Sequence, residues 1–184
     1  MGGEMGSPAQ NRSGSSRRRG LTALLATVAV TLMMTTAAPA SATSYTATAW
    51  GDNEYGQLGS GSSIWAEPVP VAVSGLSGVT AVSGGRFHSL ALLSNGTALE
   101  WGITTGTRVP VTVSGLSGVT AIAAGAYYSL ALLSNGKVMA WGFNESGQLG
   151  NGSTTSSSVP VAVSGLSGVT AISAGWTSTA FEDT

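Results

Sequence analysis

Cysteine is absent from all 184 residues, and histidine occurs only once. Without thiols the chain can form no disulfide and carries no cysteine for a lipid anchor. A single histidine also argues against a zinc site, which needs several nitrogen or sulfur ligands. Charged residues make up only 8% of the sequence, and no basic stripe exists for a nucleic-acid backbone to follow. The sequence therefore predicts no metal, no cofactor and no nucleic-acid partner.

The first 42 residues have the pattern of an export signal. Arg17–Arg19 precedes an apolar run over 21–34, and Ala40–Ala42 then gives the small-residue pattern of a cleavage site. The run is too short to span a bilayer core of about 30 Å. We expect cleavage after Ala42, by the general route or by the twin-arginine route that Ser16–Leu21 resembles. The expected product is secreted, comprises residues 43–184 and has no membrane span.

No catalytic constellation is visible in residues 43–184. This part carries three basic and seven acidic residues, a net charge of −4. Glu100 stands where the two related segments have Ala49 and Ala140, but a lone carboxylate supplies no acid–base pair. His88 has no second histidine beside it, and we expect it to have a packing role at the edge of its sheet. The sequence thus predicts a protein that is not an enzyme.

Internal repetition dominates the rest of the chain. The word "SGLSGVTA" begins at Ser74, Ser114 and Ser164, and "SLALLSNG" begins at Ser89 and Ser129. Trp-Gly occurs at 50, 101 and 141, so the units cover about 50–100, 101–140 and 141–184. The loop "NEYGQLG" after Trp50 returns as "NESGQLG" after Trp141 but is missing after Trp101.

Each unit contains four short apolar segments, represented in the first unit by 70–73, 79–83, 89–93 and 97–101. Asn95-Gly96 between the last two predicts a two-residue hairpin turn. A repeated four-stranded antiparallel unit of this length is typical of a β-propeller blade. The sequence predicts an all-β fold of about three blades in an incomplete, open ring.

The repeated words resemble those of the regulator of chromosome condensation family. They are "AWGFNESGQLGNG", "VPVAVSGLSGVTAISAG" and "GRFHSLALLSNGTALEWG", and together they extend from Ala49 to about Phe181. The resemblance implies structural roles for the repeated Trp-Gly pairs and Gly-Gln-Leu-Gly loops, which are Trp50, Gly51, Trp101, Gly102, Trp141, Gly142, Gly56, Gln57, Leu58, Gly59, Gly147, Gln148, Leu149 and Gly150. It also extends to secreted bacterial propellers, including an inhibitor of β-lactamases, and this implies protein binding through the loops of one face.

Candidate contact residues are those that vary inside the copied text. After each "VTAxxxG" the chain carries a different set of large side chains, and aromatic and arginine side chains are the ones that binding hot spots favour. The predicted set is Arg86, Phe87, Tyr127, Tyr128 and Trp176. Blade-to-blade packing is the alternative role for these residues.

Two classes of function fit these features. A secreted protein-binding module is favoured, and a structural or cell-surface repeat segment is the alternative. Family members resemble seven-bladed rings, so three units indicate a truncated remnant of a longer propeller, an assembly of several copies, or an open arc of marginal stability. Nucleotide exchange on a small GTPase, the activity of the nuclear family member, is not expected of an exported acidic chain.

Overall fold

The computed structural model describes the backbone of residues 29–33, 46–176 and 179–183, and the side chains of 46–176. Strands joined by turns make up this backbone. They are β1 (Ala29–Met33), β2 (Thr46–Asp52), β3 (Ala66–Ala72), β4 (Val79–Gly84), β5 (His88–Leu93), β6 (Ala98–Gly102), β7 (Thr107–Thr112), β8 (Val119–Ala124), β9 (Tyr128–Leu133), β10 (Val138–Gly142), β11 (Ser157–Ala162), β12 (Val169–Ala174) and β13 (Thr179–Asp183).

The strands form four antiparallel sheets that pack one against the next. Two sheets are complete blades, ordered β4-β5-β6-β7 and β8-β9-β10-β11. They are flanked by the sheet β1-β2-β3 and by the pair β12-β13. This architecture confirms the predicted all-β propeller blades, and the ring is not closed.

The core lies between neighbouring sheets. Strands β5 and β9 are buried on both faces, which explains why "SLALL" shows no alternation of apolar and polar residues. Leu90 and Leu92 of one blade pack with Val119 and Ala131 of the next. We call the space between sheets β1–β3 and β4–β7 the first interblade gap, and that between β4–β7 and β8–β11 the second interblade gap.

Blade boundaries are shifted by one strand from the predicted grouping. The segment 70–73 was predicted to share a unit with 79–83, but it belongs to β3 and pairs with β2, where Ala49 faces Val71. In the same way β7 pairs with β6, so that each "VPV" strand completes the sheet of the preceding Trp-Gly strand. The grouping was wrong because consecutive strands in a meander give no sequence mark of where one blade ends.

The predicted hairpins exist, with three-residue loops in place of two. The Gly96 amide donates to the Leu93 carbonyl at 2.9 Å, and the Leu93 amide donates to Thr97 at 2.9 Å. Gly96 has φ +79° and Gly136 has φ +75°, the positive value that the last loop residue needs. The Asn95 side chain instead accepts from the Thr97 amide at 3.0 Å.

Most of the predicted export signal, including Arg17–Arg19 and Ala40–Ala42, lies outside the described residues. The described part, β1, pairs with β2 so that Ala29 faces Trp50. Ser129 faces Trp141 in the same register in the third sheet. β1 therefore takes the position that "SLALL" strands hold in the other sheets. No helix long and apolar enough to cross a bilayer occurs in the described part of the chain.

Candidate functional site

Four aromatic side chains from different loops form a row on one face, which we call the aromatic row. Phe87 lies between Tyr55 and Tyr127, with ring centroids 5.0 Å and 4.9 Å away. Tyr127 continues to Phe143 at 6.2 Å. Phe143 is exposed and the other three are half-buried, so the row combines fixed positions with accessible ring surface.

Arg86 extends this surface towards the pair β12-β13, two sheets further along the chain. Its guanidinium lies 4.4 Å from the centroid of the Phe87 ring and 4.3 Å from that of Trp176. Such cation–π contacts contribute about 0.5–1 kcal/mol each at exposed sites. Trp176 is 53% exposed. Arg86 thus joins aromatic side chains of two separate repeats into one surface.

Glycines position the aromatic row relative to the core. Gly102 follows the buried Trp101, has φ +107°, and a Cβ added there would lie 2.5 Å from the Phe87 carbonyl oxygen. The next amide, that of Ile103, donates to the same oxygen at 2.9 Å. Phe143 donates in the same way to Tyr127 at 2.9 Å. The strand ends at Trp101-Gly102 and Trp141-Gly142 therefore hold the loops that present Phe87 and Tyr127.

Tyr128 does not belong to this surface. It is fully buried and packs in the core with Leu130 and Val138. His88, its counterpart in the previous unit, is also fully buried. The structure brings Arg86, Phe87, Tyr127 and Trp176 together, and places Tyr128 where a partner would not reach it. Strand β9 begins at Tyr128, and its side chain therefore takes the inward direction opposite to that of Tyr127.

In the first interblade gap, the Gly-Gln-Leu-Gly loop bonds to the following blade. The Gln57 carbonyl accepts from the Trp101 indole N–H and from the Ser89 hydroxyl, each at 2.8 Å. Leu58 of the same loop is buried against Trp101. The loop therefore covers one face of the next blade and supplies an acceptor to two of its side chains, Ser89 and Trp101.

In the second interblade gap, Glu100 supplies the acceptors that the missing loop would have provided. Its Oε1 accepts from the Ser129 hydroxyl at 2.7 Å, and its Oε2 accepts from the Trp141 indole N–H at 3.0 Å. Ser129 and Trp141 are the counterparts of Ser89 and Trp101. The carboxylate in place of alanine is thus explained by the deletion of the loop.

Glu100, Ser129 and His88 do not form a hydrolytic site. Ser129 lies 3.0 Å from His88 Nε2 but donates to the carboxylate, and both side chains are fully buried. A substrate carbonyl has no access to the hydroxyl there. Among the residues with described positions, no group of three or more His, Cys, Asp or Glu side chains could hold a metal ion.

The stability of the fold is expected to depend on the neutrality of His88. Burial lowers the pKa of His88 to about 4, against the opposing effect of the Ala126 and Tyr128 backbone. The unfolded chain binds this proton near pH 6.5, so unfolding becomes easier as the pH falls. The stability that depends on neutral His88 is fully present above about pH 6.5. The free energy of unfolding falls by about 3 kcal/mol as the pH is lowered to about 4.

Urea unfolding of the wild type and of His88→Gln over this pH range tests the expectation. The variant should lose less stability on acidification, because both proteins share the remaining titrating groups. Equal pH dependence in the two proteins would assign the acid sensitivity to other residues.

Two members of the aromatic row, Tyr55 and Phe143, were not predicted. They lie at different offsets in their loops, Tyr55 five residues after Trp50 and Phe143 two residues after Trp141. Only the fold brings them beside Phe87 and Tyr127. Comparison of the loops could have found Tyr55, since Ser146 stands at the matching position of an otherwise copied word.

Four-stranded antiparallel blades joined by a loop that docks on the next blade define a β-propeller repeat protein. The regulator of chromosome condensation (RCC1) repeat matches residues 49–92 and 135–181, and a second description of the same repeat matches 119–148. The chain belongs to the RCC1 repeat family. A search of curated proteins finds no match.

Solved structures show the same fold. Human WBSCR16 is similar over 76% of this chain and 40% of its own, with 23% identity and a TM-score of 0.69. Saccharomyces cerevisiae Prp20p, studied for binding to Gsp1p and histones, gives 20% identity and 0.65 over 74% of this chain and 39% of its own. Yeast RCC1 (Prp20) bound to Kap60 gives 19% and 0.67 over 74% and 38%. The chain thus spans about two fifths of these structures.

Proposed function

We propose that this chain is an exported, non-enzymatic module that binds a protein partner through the aromatic row and Arg86. The observation that carries the proposal is the continuous contact from Tyr55 through Phe87 to Tyr127, extended by Arg86 to Trp176. Rigid aromatic side chains and arginine are the side chains that contribute most to protein interfaces.

The relatives support protein binding as a class. Prp20p binds Gsp1p and histones, and its structure with Kap60 is known. Identity of about one fifth over part of the ring does not carry those partners to this chain. Export is proposed from the N-terminal sequence pattern alone. The absence of a metal-ligand group among the described residues and the sealed position of Ser129 favour binding over catalysis.

Capture experiments with two variants test the proposal. Phe87→Ser with Tyr127→Ser removes the centre of the row. Trp65→Ser is the matched control, because Trp65 is 75% exposed and has no ring contact with the row among the described side chains. The immobilised full chain and both variants are incubated with extracellular protein from the culture that produces the chain, and with extracellular protein from host or competitor cells.

A partner recovered by the wild type and by Trp65→Ser should bind the row variant about 30-fold more weakly, the equivalent of about 2 kcal/mol at a hot spot. The captured protein is then purified and titrated by calorimetry. Equal affinity for all three proteins would refute the row as the binding surface. A wild type that captures no specific protein would favour the structural repeat segment.

A further inference from the structure

The second interblade gap contains a pocket at the position of the missing loop. Its volume is about 230 Å³, below the roughly 300–1,000 Å³ typical of sites for drug-sized ligands. In the first interblade gap this space is filled, since Leu58 is buried and a Cβ added to Gly59 would lie 2.6 Å from the Trp101 indole nitrogen. The pocket walls include Glu100, Trp141, Val111, Val113, Ser158 and Pro160.

The pocket also lacks the cation that stands at this place in the first gap. There, Arg108 donates to the carbonyl oxygens of Asn53 at 3.1 Å and Glu54 at 3.0 Å. The corresponding residue of the next "VPV" strand is Ser158, which is neutral and lines the pocket. The second gap therefore has neither the loop nor the guanidinium that holds the loop.

Glu100 gives this pocket a negative charge. Each carboxylate oxygen accepts one hydrogen bond from a neutral donor, and its remaining lone pairs are free to accept more. Glu100 is only 4% exposed, and in the described part of the chain its one ionisable neighbour within 4.0 Å is His88. His88 is neutral above about pH 4. A buried carboxylate of this kind is normally paired with a cation.

The cation that fits is organic. One carboxylate is too few ligands for a metal ion, whereas an ammonium or guanidinium group bonds a single carboxylate well. Valine and proline walls suit a short alkyl chain, and the Trp141 indole also lines the pocket. Charge, size and apolar lining thus select the same ligand class.

We propose that the pocket beside Glu100 binds an alkyl cation, a primary ammonium or guanidinium group on a short carbon chain. The cation is either a free small amine or a lysine or arginine side chain of another protein. This site lies within the gap between two blades and is separate in chemistry from the aromatic row.

The test follows the indole N–H resonance of Trp141 by nuclear magnetic resonance, assigned with Trp141→Phe. The full chain is titrated with n-butylammonium, methylguanidinium and Nα-acetyl-lysine N-methylamide. Neutral n-butanol and sodium chloride of equal ionic strength are the controls. The cations should shift the resonance in a saturable manner, and n-butanol and salt should not.

Two variants separate the charge from the cavity. Glu100→Gln removes the charge while retaining an acceptor, and should abolish the shift. Ser158→Arg places a cation at the pocket wall and should block binding without altering the buried cluster, whereas Ser158→Ala should bind as the wild type does. The Ser158 pair decides the question if Glu100→Gln fails to fold.

Binding of the lysine derivative together with the free amine would assign the source to a protein side chain, and binding of the free amine alone would assign it to a small molecule. Equal shifts with n-butanol, full binding to Ser158→Arg or to folded Glu100→Gln, or no saturable shift with any cation would overturn the proposal.

Discussion

Replacing Glu100 with alanine is expected to lower the free energy of unfolding by about 2–5 kcal/mol, since it removes the carboxylate that accepts from two buried donors. These donors are the Ser129 hydroxyl and the Trp141 indole N–H. Urea unfolding followed by tryptophan fluorescence measures the change. Glu145→Ala is the matched control, because Glu145 is exposed and should alter the stability by less than about 0.5 kcal/mol.

Adding the missing loop should abolish or reverse the loss of stability that Glu100→Ala causes. Residues 143–156 of the last unit can be grafted in place of 103–106, which adds a Gly-Gln-Leu-Gly loop to the second interblade gap. A loop carbonyl would then accept from the Trp141 indole N–H, as the Gln57 carbonyl accepts from that of Trp101. Glu100 would then be a buried carboxylate that is no longer required as an acceptor. In the grafted chain Glu100→Ala should be neutral or stabilising. A loss as large as in the parent chain would show that Glu100 does not replace the loop.

Replacing Gly102 with alanine is expected to cost about 3 kcal/mol or more. The backbone at φ +107° is unfavourable for any residue with a Cβ, and that Cβ would lie 2.5 Å from the Phe87 carbonyl oxygen and 2.7 Å from the His88 Cα. Since both obstacles are backbone atoms, relief requires the loop that carries Phe87 to move outward.

Gly106→Ala provides the comparison for Gly102. Gly106 has φ +68°, and a Cβ there meets nothing within 4 Å, so only the conformational cost of about 1–2 kcal/mol remains. Thermal and urea unfolding should separate the two variants by more than about 1 kcal/mol. Equal losses would show that the close approach to the Phe87 loop carries no energy.

The fold was predictable because its information is repeated. Words such as "SLALLSNG" occur at fixed positions, and each predicts a strand and a hairpin with little ambiguity. The blade boundaries were not predictable, because a meander pairs every strand with the next and the sequence does not show where the chain crosses to a new sheet. The hairpin loop length was also missed, since Asn95-Gly96 fits either a two-residue turn or the end of a three-residue loop.

The candidate site was predictable in part, for the same physical reason. Phe87 and Tyr127 stand at matching positions of repeats, and the variation there marked them. Tyr128 was misplaced because adjacent residues point to opposite sides once a strand begins, and a shift of one residue in the strand start decides which side is buried. Glu100 was visible as an exception, but its role required the partners Ser129 and Trp141, which lie 29 and 41 residues further along the chain.

The Gly-Gln-Leu-Gly loop packs on the following blade, so the boundaries of the sequence repeat differ from those of the structural unit that the loop stabilises. Gln57 belongs to one copy by sequence, but its bonds are to Ser89 and Trp101 of the next blade. A gene rearrangement that exchanges whole copies therefore breaks and remakes the contact at every junction, and any new neighbour must accept the incoming loop. Adjacent copies in such a chain must therefore be compatible, and the copy without the loop meets this condition through Glu100, whose carboxylate accepts from Ser129 and Trp141 of the next blade.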